Sequence, residues 1–512
     1  MERKKAAISQ YQNPVISGFH PDPSVCRVGD DYYLVCSSFE YFPGVPVFHS
    51  KDLIHWEQIG HCITRKDQLR LPKGFPNGMG IFAPTIRYHN GIFYVITTNV
   101  SYGGIDEGNF FVWTKDPYGE WSDPVWVDLP GIDPSLFFDD DGRVYYTGTH
   151  QEIYLCEINI NTGKCIGERK EIWGGTGGNN PEGPHLYKIN GWYYLLISEG
   201  GTELCHMLTI ARSRRIDGPY ESCDRNPVLT NRSLALPIKA VGHADLIQAH
   251  NGSWWAVCLG IRPISYPFRH HMGRETFLCP VKWDEAGWPI FGNQGSLDLL
   301  MQAECLPEYH VPEVKKRDDF DKEELDFYWN FIYNPEDELW SLHDNKGYLT
   351  LYGGATSLDE AASVAWVGRR QEHMECRARA LLHYEPKRDG EEAGLTVYMN
   401  NLHHYEIGIT RMKDTRYIFV RRRIGTLWKV EQLLPYNYEQ VYLEIRADQE
   451  FYYFGYSTDG ASFTELGRGE VQYLTTEVGG RFTGNYIAMF SSGNGSKCDS
   501  PAKFDWFEYD NE

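Results

Sequence analysis

Apolar and polar positions alternate with a period of two along most of this chain, and the spacing of an amphipathic helix is scarce, which predicts an all-β protein. Over the first 290 residues the alternation is organised into a repeat. Each copy has a short strand entry, an apolar run, a two-residue turn and a returning strand of aromatics. The copies are HPDPSVCRVGDDYYLV from His20, IFAPTIRYHNGIFYVI from Ile81, GIDPSLFFDDDGRVYY from Gly131, PEGPHLYKINGWYYLL from Pro181 and VGHADLIQAHNGSWWAV from Val241. Asp-Asp, Asn-Gly and Asp-Gly pairs at the turns supply the positive backbone angles of a tight hairpin. Downstream segments, SKDLIHWEQIG from Ser50, TKDPYGEWSDPV from Thr114 and ARSRRIDGPYESCDRNPVL from Ala211, read as outer hairpins, and CPVKWDEAGWPIF from Cys279 closes the fifth unit.

A period of this size with several strands per unit predicts a five-bladed β-propeller over residues 9–300. One position at the strand entry changes from copy to copy: Asp22, Ala83, Asp133, Glu182 and His243, separated by 61, 50, 49 and 61 positions. Equivalent positions on successive blades converge on the propeller axis. Three carboxylates and an imidazole would therefore meet at one point. Asp-Pro-Ser is also a common turn motif, so either aspartate alone would carry little weight. Two copies in phase with Glu182 carry more.

The organisation changes near residue 300. Residues 301–318 have two prolines, mixed charge and no alternation, and read as a linker. From 319 to 512 strands return without the repeat: YLTLY from Tyr348, AGLTVYM from Ala393, YEIGITRM from Tyr405, RYIFVRRR from Arg416, VYLEIRA from Val441, FYYFGYS from Phe451 and KFDWFEY from Lys503. These predict an antiparallel β-sandwich.

Charge narrows the partners. With 49 basic against 70 acidic residues, the formal charge of −21 argues against nucleic acid and anionic membranes, which need a basic face. The basic run RRRI from Arg421 reads as a solvated sheet face. No stretch approaches the ~20 apolar residues of a membrane helix, and MERKKAAISQYQNPV lacks the apolar core of a secretory signal. Twelve cysteines spread singly, without CxxC pairs, suit reduced thiols and a cytoplasmic location. The sequence leaves oligomeric state open, a homo-oligomer included.

Six motifs in order resemble glycoside hydrolase family 43: PDPS from Pro21, FEYFPGVPVFHSKDLIHW from Phe39, IDPSLFFDDDG from Ile132, EGPHLYK from Glu182, GHADL from Gly242 and GRETFLCPVKW from Gly273. The resemblance is to the β-xylosidase and α-L-arabinofuranosidase members, and it implies that the C-terminal sandwich is concanavalin-like. It implies a five-bladed propeller, inversion at the anomeric carbon, and a third carboxylate, here Asp133, that tunes and orients the acid. It also implies sugar contacts from Phe39, Phe82, Arg274 and Phe482, the last in the RFTGN loop from Arg481. His243 would lie near the acid or on a hydrated calcium ion, with no cofactor otherwise required. The residue before Ala-Pro is usually Trp or Tyr in this family, so Phe82 lacks a polar handle.

The chemistry agrees. Glycosidic cleavage needs an acid on the leaving oxygen and a base or nucleophile across the ring. Glu182, held in Pro-Glu-Gly-Pro among apolar neighbours and near another carboxylate, suits the general acid. Asp22 suits the general base that activates water. The expected activity is release of terminal D-xylose from xylo-oligosaccharides, with α-L-arabinofuranosidase activity on arabino-oligosaccharides as a side or main activity. A non-catalytic sugar-binding propeller is the alternative of another class.

Overall fold

The computed structural model describes residues 9–511 apart from positions 72, 105, 304 and 305. The N-terminal stretch 1–8, on which the signal-peptide reading partly rests, lies outside the described residues. The repeat folds as five antiparallel sheets around a common axis, a five-bladed β-propeller, followed by a two-sheet sandwich. The innermost strands are β1 (Ser24–Val28), β2 (Thr85–His89), β3 (Ile132–Phe138), β4 (Glu182–Ile189) and β5 (Lys239–Gln248). Each packs on the next, and β5 returns to β1. The aromatic strands come second in each blade, burying Tyr32, Tyr94, Tyr146, Tyr194 and Trp255. The ring closes through the N-terminal segment. Gln10–Gln12 pairs with Leu300–Gln302, and the Asn13 side chain donates to and accepts from the Leu278 backbone at 3.0 and 2.9 Å.

The larger sheet of the sandwich is built around Ala502–Asp510, Cys376–His383 and Gln440–Ala447. The facing sheet has the order Ala365–Arg370, Tyr486–Ser492, Glu392–Asn400, His403–Met412, Thr415–Ile424, Leu427–Pro435. At the two ends of the 301–318 segment, Leu300–Gln302 and Arg317–Asp318 pair with strands, and between them the Tyr309 N–H donates to Asp52 at 2.7 Å.

The basic run at Arg421 is not a solvated face. Arg421 is buried and pairs with Glu392 and Glu406, Arg422 pairs with Glu431 and Glu470, and Arg423 with Asp359. The side chains that an isolated hairpin would expose here meet acidic partners from elsewhere in the sandwich.

Propeller and sandwich share one hydrophobic core. Tyr41 stacks on Tyr486 with centroids 4.1 Å apart, and Tyr41–Phe42 pairs as a strand with Phe331–Ile332. Beside this seam lies Glu40, 2% exposed, whose two carboxylate oxygens accept the Gly78 N–H at 3.1 and 3.0 Å. Burial pushes its carboxyl up to about 7, against the Gly78 N–H and the charge of Arg481. The folded protein therefore holds this proton more tightly than the unfolded chain. The contribution to stability is full below about pH 4.3, the unfolded value, and is lost as pH rises through 7. Glu40→Gln should match the parent in thermal unfolding at pH 4 and exceed it at pH 8, by up to ~3 kcal/mol. A difference that stays flat between these pH values would contradict the assignment.

Candidate active site

The strand entries hold the site because their backbone is bent there. Asp22, Asp133 and His243 have φ of 56°, 53° and 47°, conformations that non-glycine residues adopt at a cost of about 1–3 kcal/mol. In blade four the residue with that conformation is Gly183, at φ 58°. This corrects the sequence register: Gly183, not Glu182, aligns with Asp22, Asp133 and His243, and Glu182 stands one residue earlier, level with Phe82 and Ile132. Pairing shifts at Ile132/Ser135, Glu182/His185 and Gly242/Asp245 mark a bulge at three of the five entries, which re-aims the side chains around it. The glycine is required. A Cβ on Gly183 would lie 3.0–3.1 Å from the His243 ring, and its N–H donates to Asp133 at 3.1 Å.

All eight residues singled out in the sequence line one cavity of about 70 Å³: Asp22, Phe39, Phe82, Asp133, Glu182, His243, Arg274 and Phe482. Ala83, Ile132 and Thr202 complete it. A larger cavity of about 590 Å³ opens between propeller and sandwich beside Trp56 and Phe327, but none of the strand-entry residues reaches it. Convergent buried carboxylates mark the smaller one as the site.

The carboxylates are unlike one another. Burial alone would raise Asp22, but Arg274, His243 and the Ser37 hydroxyl outweigh it and hold the group below its ordinary value. Arg274 donates to both Asp22 oxygens at 2.7 and 3.3 Å, and Ser37 donates to Oδ2 at 2.5 Å. Burial, then the charges of Glu182 and Asp22, push Asp133 well above the carboxylate range. Burial lowers His243 against the pull of Asp22 and Glu182, so its ring is neutral, with Nδ1 3.8 Å from Asp22. Glu182 is the carboxyl that reaches the opening, its side chain 17% exposed. Arg274 serves Asp22 and donates to Thr202 at 3.2 Å; its buried Nε has no protein partner.

A second polar layer sits two to four residues further along the strands. Asp245 accepts from Arg87 at 2.7 and 3.2 Å, from Ser24 at 2.6 Å and from Tyr187 at 2.6 Å, while Arg87 also meets His185 at 2.8 Å. These residues do not form a direct protein cage for a calcium ion. The buried negative charge beside His243 is already met by two arginines, Asp245 has its oxygens occupied, and the described residues contain no group of three or more metal-binding side chains.

The aromatic wall is shared between domains. Phe39 lies 5.2 Å from Phe82 and 5.7 Å from Phe482, and Phe82 lies 5.8 Å from Phe482. The sandwich loop thus supplies part of the same cavity, and the Arg274 guanidinium lies over the Phe39 and Phe482 rings. Sequence reading missed Thr202, Ser37 and His206, whose Nε2 is 3.1 Å from Glu182. None of them belongs to the repeat, so no periodic signal pointed to them.

Comparison with known proteins agrees with this geometry. The model of glycosyl hydrolases family 43 matches residues 11–289, and that of the beta xylosidase C-terminal concanavalin A-like domain matches 317–510. A Bacteroides ovatus protein named non-reducing end alpha-L-arabinofuranosidase BoGH43B is 43% identical, over 99% of this chain and 96% of its own. A Butyrivibrio fibrisolvens xylosidase/arabinosidase is 39% identical over 97% and 98%. The solved structure of the GH43B protein from the Bacteroides ovatus xyloglucan PUL superposes with a TM-score of 0.94, at 42% identity, over 98% of this chain and 100% of that one. The paired carboxylates at the mouth of a five-bladed propeller, the sandwich that walls them, and these matches along the whole chain establish that it belongs to glycosyl hydrolase family 43.

Proposed function

We propose that the chain is an exo-acting, inverting glycosidase that removes one terminal pentose, D-xylose from β-xylosides in the first place. The observation that carries this is the division of charge in the site: one carboxylate held ionised at Asp22, and a carboxyl at Asp133 that keeps its proton with Glu182 beside it, around one cavity of about 70 Å³. Asp22 is the base that activates water, Glu182 the acid that protonates the leaving oxygen, and Asp133 the neighbouring carboxyl that tunes and orients the acid. Arg274 fixes Asp22 and offers its unpaired Nε to a sugar hydroxyl. Phe39 and Phe82 give the sugar an apolar face, and Phe482 closes the cavity to a pocket, which suits removal of single terminal sugars.

A second reading, α-L-arabinofuranosidase, is favoured by the name of the 43% identical Bacteroides ovatus relative. The names of the Butyrivibrio fibrisolvens protein join both activities. Comparing kcat/KM on 4-nitrophenyl β-D-xylopyranoside and 4-nitrophenyl α-L-arabinofuranoside decides between them. The first reading expects the xyloside to be preferred. Preference for the arabinofuranoside installs the second, and turnover of neither removes both.

The part played by the sandwich is tested at Phe482. Phe482→Ala should lower kcat/KM on xylobiose roughly tenfold and leave the fold intact, since one loop aromatic contributes only about 2–3 kcal/mol of burial. Unchanged kinetics on xylobiose would show that the ring is not part of the subsite.

A further inference from the structure

We propose that His206 is the positioning residue for the acid, turning a ring-nitrogen lone pair to Glu182 so that the proton-bearing oxygen stays in place between turnovers. The proposal rests on the reading of Glu182 as the acid. His206 immediately precedes the strand Met207–Ser213 of blade four and is 1% exposed. Its Nδ1 lies 3.1 Å from the Ala240 carbonyl oxygen. A carbonyl only accepts, so Nδ1 carries the proton. Nε2 makes no hydrogen bond, and Glu182 Oε1 stands 3.1 Å from it. In the proposal Nε2 is the acceptor, and a carboxyl O–H of Glu182 turned toward it is the donor that satisfies it.

Blade five is built around this ring. Ala240, in β5, has φ 51°, a strained conformation for alanine that sets its carbonyl toward His206. Two residues on, a Cβ at Gly242 would lie 2.3–2.5 Å from the imidazole atoms, so only glycine leaves room. A strained backbone and an obligatory glycine are a high cost for a ring that merely fills space. The other charged or titratable groups acting on this corner are Asp133 on Glu182, Asp22 on His206, and His243, which faces both and is itself next to Arg274.

His206→Phe keeps the ring shape and removes the acceptor, and His206→Gln returns one through its amide oxygen. In His206→Phe, kcat/KM on xylobiose should fall roughly tenfold, the worth of one hydrogen bond to the carboxyl, while an activated 4-nitrophenyl glycoside is cleaved nearly as well as by the parent. The alkaline limb of the pH profile should move to lower pH, and His206→Gln should recover part of both effects. Preserved turnover of the activated substrate shows that the variant is folded. Equal loss on both substrates with an unmoved limb would reduce His206 to packing. A limb moved to higher pH would mean that the ring is a cation serving the carboxylate, and would overturn the proposal. If Glu182→Ala itself shows no dependence on the leaving group, the acid assignment fails first, independently of His206.

Discussion

Glu182→Ala should lose about 10²–10⁴ in kcat/KM on xylobiose and far less on an activated 4-nitrophenyl glycoside. The difference follows from what departs. A sugar alkoxide leaves only when its oxygen is protonated, whereas nitrophenolate leaves unaided. Glu182 is placed for this proton: it stands at the opening of the cavity, next to Asp133, whose carboxyl is pushed well above its ordinary range by burial and by Glu182 and Asp22. Burial and like charge keep the proton on Asp133, so the site holds a protonated carboxyl next to Glu182. Equal losses on the two substrates would show that Glu182 is not the acid.

Asp22→Asn should be impaired on both substrates alike, by up to ~10⁴, because water must be activated whatever leaves. It should also unfold at lower temperature. Arg274 spends two donors on Asp22, 5% and 7% exposed as side chains, so the substitution leaves a buried guanidinium without its counter-charge. Breaking such a pair from one side costs about 3–5 kcal/mol. Shape-preserving asparagine retains an acceptor, so the loss should fall at the lower end. The two readouts separate the roles: a rate loss confined to poor leaving groups would move Asp22 from base to acid, and an unchanged melting temperature would mean that Arg274 finds another partner.

The propeller was legible because its blades repeat a pattern that only a closed ring of sheets can bury. Asp22, Asp133 and His243 were legible for the same reason, being the variable position of a fixed strand entry. Glu182 was found with its register one residue off, because a bulge at the strand entry is a backbone feature that residue spacing does not report. The pattern showed the sandwich strands that alternate, such as Gln440–Ala447. It missed Tyr486–Ser492, buried on both faces, and Leu427–Pro435, an edge strand exposed along most of its length. The arginines after Phe419 read as surface because sequence shows charge but not the glutamates that meet it from other strands. Thr202, Ser37 and His206 enter the site from loops outside the repeat, and only the folded chain brings them to it.

The central claim is that water, activated by Asp22, displaces the leaving group in one step while Glu182 protonates it. Proton NMR of the sugar formed in the first minutes of xylobiose hydrolysis, before the anomers equilibrate, tests this most directly. The account predicts α-xylose as the first product, the configuration opposite to that of the bond cleaved. β-Xylose appearing first would require a covalent glycosyl-enzyme, make one of these carboxylates a nucleophile, and contradict the mechanism.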